Sequence, residues 1–145
     1  IIKQSRSWSH TPLAQGYWAS NLTIANNTPT TLVTDTENID NTSSLSAGIF
    51  TVPTVGNYRV AASIQVQAIA AAVQVYLRIR RSGGTIAQRN YTSTGAAYET
   101  FTISEIINCP NSTDTLSVEV SQLTGGNMTI TGGAAVGGLS FNLIP

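Results

Sequence analysis

Charge is scarce in this sequence. Charged residues make up 10% of its 145 residues, against about 25% in an average domain. Seven Lys/Arg balance seven Asp/Glu, and a single lysine, Lys3, is present. Phosphate backbones are held by clustered cations, so nucleic acid is not expected as a partner. Cysteine occurs once, at Cys109, which excludes an intrachain disulfide and a cysteine-based zinc site. It lies in NCPNS, at a turn after an apolar run, where a small thiol packs as a hydrophobe. A reactive nucleophile would need a neighbouring histidine and a positive setting, and the one histidine, His10, is close to the N-terminus. No run approaches about 18 uninterrupted apolar residues, so membrane insertion is not expected. The opening IIKQSRSWSH lacks the basic-then-apolar order of a secretory signal.

What is abundant is small and polar. The chain holds 15 Ser, 20 Thr and 11 Asn. Threonine favours strands, whereas Ser and Asn favour turns. Lysine and glutamate, the usual material of surface helices, are nearly missing. A hydrophobic share of 41% at zero net charge suits a packed core rather than disorder. The length is that of one domain. Together these point to an all-β domain exposed in a harsh or extracellular setting.

Residues 1–12 show no period and read as a lead-in or stalk linker before a single domain at 13–145. From Leu13 the period becomes two. GYWASNLTI places Trp18 and Leu22 on one face, and ANNTPT follows as a turn cluster. TTLVTD reads as a short strand, TENIDNTSS as a polar loop, and GIFTVP as a strand closed by Pro53. The clearest strand is GNYRVAASIQVQ, with Tyr58, Val60, Ala62, Ile64 and Val66 on one face. VQVYLRIR follows with Val75, Leu77 and Ile79 alternating against polar residues. Strict alternation over eight or more residues marks half-buried antiparallel strands. SGG at 82–84 predicts a hairpin pairing 73–81 with 85–92. YETFTISEII carries Phe101 and Ile103 inward, TLSVEVSQL carries Leu116 and Val118, and GLSFNLIP closes with Phe141 and Leu143. About eight to ten short strands, with turns about every 8–12 residues, predict an antiparallel two-sheet jelly-roll sandwich. The expected core is Trp18, Leu22, Phe50, Tyr58, Val60, Ile64, Val75, Leu77, Phe101, Ile103, Leu116, Val118, Phe141 and Leu143.

The string FTVPTVGNYRV contains Phe50-x-x-Pro53-x-x-Gly56-x-Tyr58. This resembles the signature of the complement-q/tumour-necrosis-factor superfamily, the relatives of the globular head of complement component one's q subcomponent. YWASNLTIANNTPTTLVTDTENIDNTSS resembles that family's first strand and following loop, and GLSFNLIP its closing strand. The resemblance spans about residues 13–145. Physically, Phe50 anchors a strand, and Pro53 ends it where no ladder N–H is needed. Gly56 then supplies a turn and Tyr58 opens the next strand inward. The mammalian heads usually carry several cysteines and a more basic surface, and this chain has neither. It is more similar in style to the microbial and viral members, such as phage tail-fibre heads and the tips of bacterial collagen-like filaments. The resemblance implies a compact homotrimer that recognises partners rather than transforming them. Residues Ala61, Ser63 and Gln65 of one strand and Tyr98, Thr100 and Thr102 of another offer small, uncharged faces suited to a trimer interface.

No catalytic constellation stands out. G-x-S-x-G is absent, no carboxylate pair is singled out, and SGG and TGG lack the following Lys-Ser/Thr of a phosphate loop. No enzyme activity, cofactor or required metal is expected. Asp35, Glu37 and Asp40 cluster in one loop, which reads first as a solvated turn and only second as a structural calcium site. Arg78, Arg80, Arg81 and Arg89 form the one basic concentration, readable as a patch for acidic sugars or phosphate groups, or as edge protection. Six N-x-S/T sequons begin at Asn21, Asn26, Asn41, Asn90, Asn111 and Asn127, a number that chance explains in so Asn- and Thr-rich a chain. Arg89, Asn90, Tyr91 and Tyr98 are the expected ligand-binding residues, since they combine stacking faces with donors and acceptors. Two functions follow. One is a phage-fibre head on the virion surface, or otherwise extracellular, that binds a cell-surface glycan or protein receptor. The other is a structural trimerisation tip of a bacterial filament, or a virion decoration protein without a ligand.

Overall fold

A computed structural model describes residues 11–145. The reading of 1–12 as a lead-in therefore lies, apart from Thr11 and Pro12, outside the described residues. Those residues form thirteen strands and no helix: β1 (Leu13–Tyr17), β2 (Leu22–Ile24), β3 (Thr30–Thr31), β4 (Thr36–Asp40), β5 (Leu45–Ser46), β6 (Ile49–Thr51), β7 (Gly56–Gln67), β8 (Gln74–Arg81), β9 (Gly84–Thr92), β10 (Tyr98–Cys109), β11 (Thr115–Gln122), β12 (Met128–Ile130) and β13 (Gly138–Ile144).

The strands make two antiparallel sheets. Sheet A runs β2-β12-β7-β13-β1-β4, with β10 pairing the other side of β7. Sheet B runs β5-β6-β11-β8-β9, with β3 also on β11. The longest ladder joins β7 to β10 from Tyr98↔Gln67 to Cys109↔Gly56. Alternation decides what each strand buries. Tyr58, Val60, Ala62, Ile64 and Val66 of β7 face Val75, Leu77 and Ile79 of β8 and Leu116, Val118 and Val120 of β11 across one shared core. The fold is the all-β, two-sheet jelly roll that the alternation predicts.

The nine-residue signature sits at the centre. Phe50 stacks on Phe141 at 5.1 Å with the rings 3° from parallel, and meets Tyr58 at 5.5 Å and 59°. The Tyr58 hydroxyl donates to the carbonyl of Thr54 at 2.7 Å, tying the turn to the strand it opens. Gly56, at φ +152°, begins β7 where an added Cβ would meet Leu143 Cδ1 at 2.8 Å. The 81–84 hairpin closes in the expected place, with Arg81 opposite Gly84 and positive φ at Ser82 and Gly83.

Three expectations are corrected. The polar stretch 36–44 is not all loop, because β4 pairs with β1 across a bulge between Gln15 and Gly16. An edge strand has one side open to water, so it tolerates polar residues and loses the alternation signal. The alternating segment GYWASNLTI, residues 16–24, is not one strand. Trp18 turns into the core and donates its Nε1–H to the Thr131 carbonyl at 2.9 Å. Asp35 Oδ1 holds the Ala19 N–H at 2.8 Å, and β2 restarts beside β12 instead of β13. Finally, Leu22 and Leu143 are only half-buried against the core, whereas the other twelve expected core residues are buried.

Candidate functional site

Because the sheets stack face to face, the molecule presents two broad outer faces on opposite sides. On sheet A the outward positions of β10 and β7 interlock. Thr100 lies opposite Gln65, Thr102 opposite Ser63, Ser104 opposite Ala61 and Ile106 opposite Arg59. The six residues expected at a trimer interface thus lie on one face of adjacent strands. Tyr98 and Ile106 are 60% and 53% exposed there, and Ile39 of β4 is also exposed. A groove of about 390 Å³ runs beside them, lined by Gln15, Tyr17, Ala61, Ser63, Thr102 and Ser140, among others. Arg59 is the only charged side chain at the outward positions of β1, β7, β10 and β13.

Sheet B presents a different outer face. Glu119 occupies an outward position at the middle of β11, yet is only 7% exposed. Its carboxylate accepts hydrogen bonds from Arg80 Nη1 at 2.9 Å and Arg78 Nη1 at 3.4 Å. Arg78 Nε–H in turn donates to Gln88 Oε1 at 2.7 Å, and Gln88 Nε2–H to Asn90 Oδ1 at 2.6 Å. The Arg78 guanidinium lies 5.4 Å from the centre of the Tyr76 ring. One connected row of polar groups therefore crosses three strands, β11, β8 and β9. A carboxylate this buried is tolerable because two cations share it.

The four expected ligand residues do not converge. Arg89, Asn90 and Tyr91 are consecutive on a strand, so they alternate between faces. Arg89 and Tyr91 point toward the seam between edge strands β9 and β10. There Arg89 pairs with Glu105, and the Tyr91 hydroxyl donates to the Thr102 carbonyl. The Tyr91 ring packs 4.9 Å from Phe101. Asn90 stands on the outer face of sheet B and Tyr98 on that of sheet A. The basic concentration is divided as well. Arg78 and Arg80 hold Glu119, Arg89 closes the seam, and Arg81 Nη1 donates to the Asn108 carbonyl at 2.6 Å.

The acidic cluster shapes loops. Asp35 Oδ1 accepts from Ala19 N–H and, at 3.0 Å, from the Thr36 hydroxyl. The two carboxylate oxygens of Asp40 accept the N–H groups of Ser44 and Leu45, both at 2.9 Å. Among the described residues, no three His, Cys, Asp or Glu side chains converge as metal ligands. Cys109 is buried, and its thiol is pushed up to about 11 chiefly by burial, with Asp114 adding and Arg81 opposing. The outer face of sheet B was not singled out by the sequence as a whole. Its readable traces were Arg78 and Arg80, two residues apart, and Asn90 among the expected ligand residues. Glu119 gave no trace, because nothing local shows that β11 lies beside β8.

No family model matches the chain, and no curated protein matches it. Among solved structures it is similar to the globular domain of zebrafish complement 1qA protein. The TM-score there is 0.62 at 10% identity, over 92% of this chain and 98% of that one. It is likewise similar to Eiger, a tumour necrosis factor from S. frugiperda, with TM-score 0.65 at 14% identity over 93% of each chain. Murine APRIL at pH 8.0 gives TM-score 0.68 at 12% identity, over 92% of this chain and 99% of that one. The fold is thus of complement-q and tumour-necrosis-factor type.

Proposed function

We propose that this chain is the non-catalytic, homotrimeric head of a phage tail fibre, displayed on the virion surface, where it recognises a receptor or glycan on the host cell. The observation that carries this reading is the contrast between the two outer faces. Sheet A exposes Tyr98, Ile106 and Ile39 beside a groove and carries almost no charge. Faces of that kind suit burial between copies, because interface centres are depleted of charge. Sheet B carries an ordered polar row, suited to contact with a ligand. Copies packed through sheet A would leave sheet B facing outward. The chain's poverty in lysine and cysteine, with its wealth of Ser, Thr and Asn, suits a surface-displayed protein.

A second reading, a structural tip without a ligand, has one observation in its favour. Arg89 and Tyr91 are already engaged by Glu105, Thr102 and Phe101. One measurement tests the assembly that both readings share, and a second separates them. Light scattering at micromolar concentration is expected to give the trimer mass, and Ile106→Glu to give a folded monomer. A monomeric parent protein refutes the assembly. Purified protein is expected to coat host cells and compete with the parent particle, and failure to do either leaves the structural tip.

A further inference from the structure

We propose that the outer face of sheet B is a binding site for an acidic sugar, with Arg78 and Arg80 taking its carboxylate and Tyr76 and Asn90 contacting its ring. This deepens the reading of the chain as a recognition head by naming the surface and the ligand class.

The first support is charge. Two guanidiniums share one carboxylate, Glu119, so the cluster carries one uncompensated positive charge. A monoanion completes it. The second is unused donor capacity, since each guanidinium has five N–H groups. Arg78 spends one on Gln88 and one on Glu119, while Arg80 spends one on Glu119 and one on the carbonyl of Gly83. Both keep donors at a partly open surface, with side-chain exposures of 22% and 30%. A planar guanidinium fits a carboxylate with two parallel hydrogen bonds.

The third support is preorganisation. Glu119 and Gln88 already fix the Arg78 guanidinium, and Glu119 and Gly83 fix that of Arg80. Little side-chain freedom is then left to lose on binding. Tyr76 and Asn90 are directly opposite each other across β8 and β9, two positions along from Arg78 and Gln88 and so the next pair on the same face. An aromatic ring, an amide and a guanidinium row on one flat face supply the stacking surface and paired donors that a pyranose needs. The interaction is electrostatic and partly exposed, so it weakens as salt rises.

The test is a titration of the intact protein with glucuronate, galacturonate and N-acetylneuraminate, each against its own methyl ester, followed by NMR. The esters keep ring and hydroxyl stereochemistry and lose only the charge. The acids are expected to shift the Arg78, Arg80, Tyr76 and Asn90 signals with millimolar affinity. The esters are expected to bind about tenfold or more weakly, the loss of one charged hydrogen-bond partner. Arg80→Gln is expected to abolish the preference for the acid. Asn90→Ala, which leaves the Glu119 pairs intact, is expected to weaken binding several-fold with an unchanged melting temperature. Silence of these signals with all three acids, or equal binding of acid and ester, overturns the proposal. Host-cell coating separates it from the broader reading. Coating undiminished by Arg80→Gln removes this site and leaves the recognition head. Shifts at Arg78 and Arg80 without any coating establish the site and remove the head.

Discussion

The stack of Phe141 on Phe50 is where the stability of this sandwich is most open to measurement. Both rings are fully buried, nearly parallel and 5.1 Å apart, and they join β13 of sheet A to β6 of sheet B. Phe141→Ala removes one ring. A buried phenylalanine withdraws roughly 150 Å² or more from water. At about 25 cal/mol per Å² that is about 4 kcal/mol. The compactness of real unfolded chains trims this by about 10–40%, while the lost ring pair adds about 0.5–1.5 kcal/mol. The net expectation is a destabilisation of about 3–5 kcal/mol, in the range found for large-to-small core changes. With an unfolding entropy of about 2.1 cal/mol/K per residue, a loss of about 4 kcal/mol lowers the melting temperature by roughly 13 °C. Urea unfolding followed by far-ultraviolet circular dichroism, at one fixed protein concentration, reads the midpoint and the slope. The concentration is fixed because assembly contributes to apparent stability. A double-mutant cycle with Phe50→Ala should return a coupling of about 0.5–1.5 kcal/mol. A loss below about 1 kcal/mol at unchanged slope refutes the reasoning, since the core would then not depend on this contact.

Other perturbations follow from single contacts. Gly48, at φ +77°, has the Leu32 carbonyl oxygen 2.2 Å from where a Cβ would sit, whereas Gly83, at φ +85°, has open space. Gly48→Ala is therefore expected to cost at least about 2 kcal/mol and Gly83→Ala only about 1 kcal/mol by urea midpoint; equal losses refute the steric account. The Cys109 thiol is raised from its ordinary 9.0 to about 11. Above pH 9 the unfolded chain gives up this proton while the folded chain keeps it. Stability contributed by the buried thiol is thus complete below pH 9 and lost as pH rises through 11. The difference between parent and Cys109→Ala across that window isolates it from the tyrosines, and a flat difference counts against it. Glu119→Gln leaves two guanidiniums without their shared anion and is expected to cost about 1–3 kcal/mol in the same assay; no loss would mean that the pairing is not formed in solution.

The sequence by itself determined the class of fold and most of its core. Alternation in GNYRVAASIQVQ, VQVYLRIR and TLSVEVSQL has a period of two, which only a pleated strand with one buried face satisfies. Phe50, Pro53, Gly56 and Tyr58 fixed a local turn whose parts lie within nine residues of one another, so nothing distant was needed to read it. The hairpin at 82–83 is legible for the same reason. Tertiary structure decided what depends on partners far along the chain. β4 is a strand because β1 runs beside it, and no alternation in its polar sequence says so. Arg89 and Tyr91 look like ligand contacts in sequence, but the meeting of two sheet edges gives them Glu105 and Phe101 instead. Glu119 gains its two arginines only because β11 pairs with β8, some forty residues away in the chain. Side-chain periodicity is a property of one strand, whereas the neighbour of a strand is set by the packing of all of them.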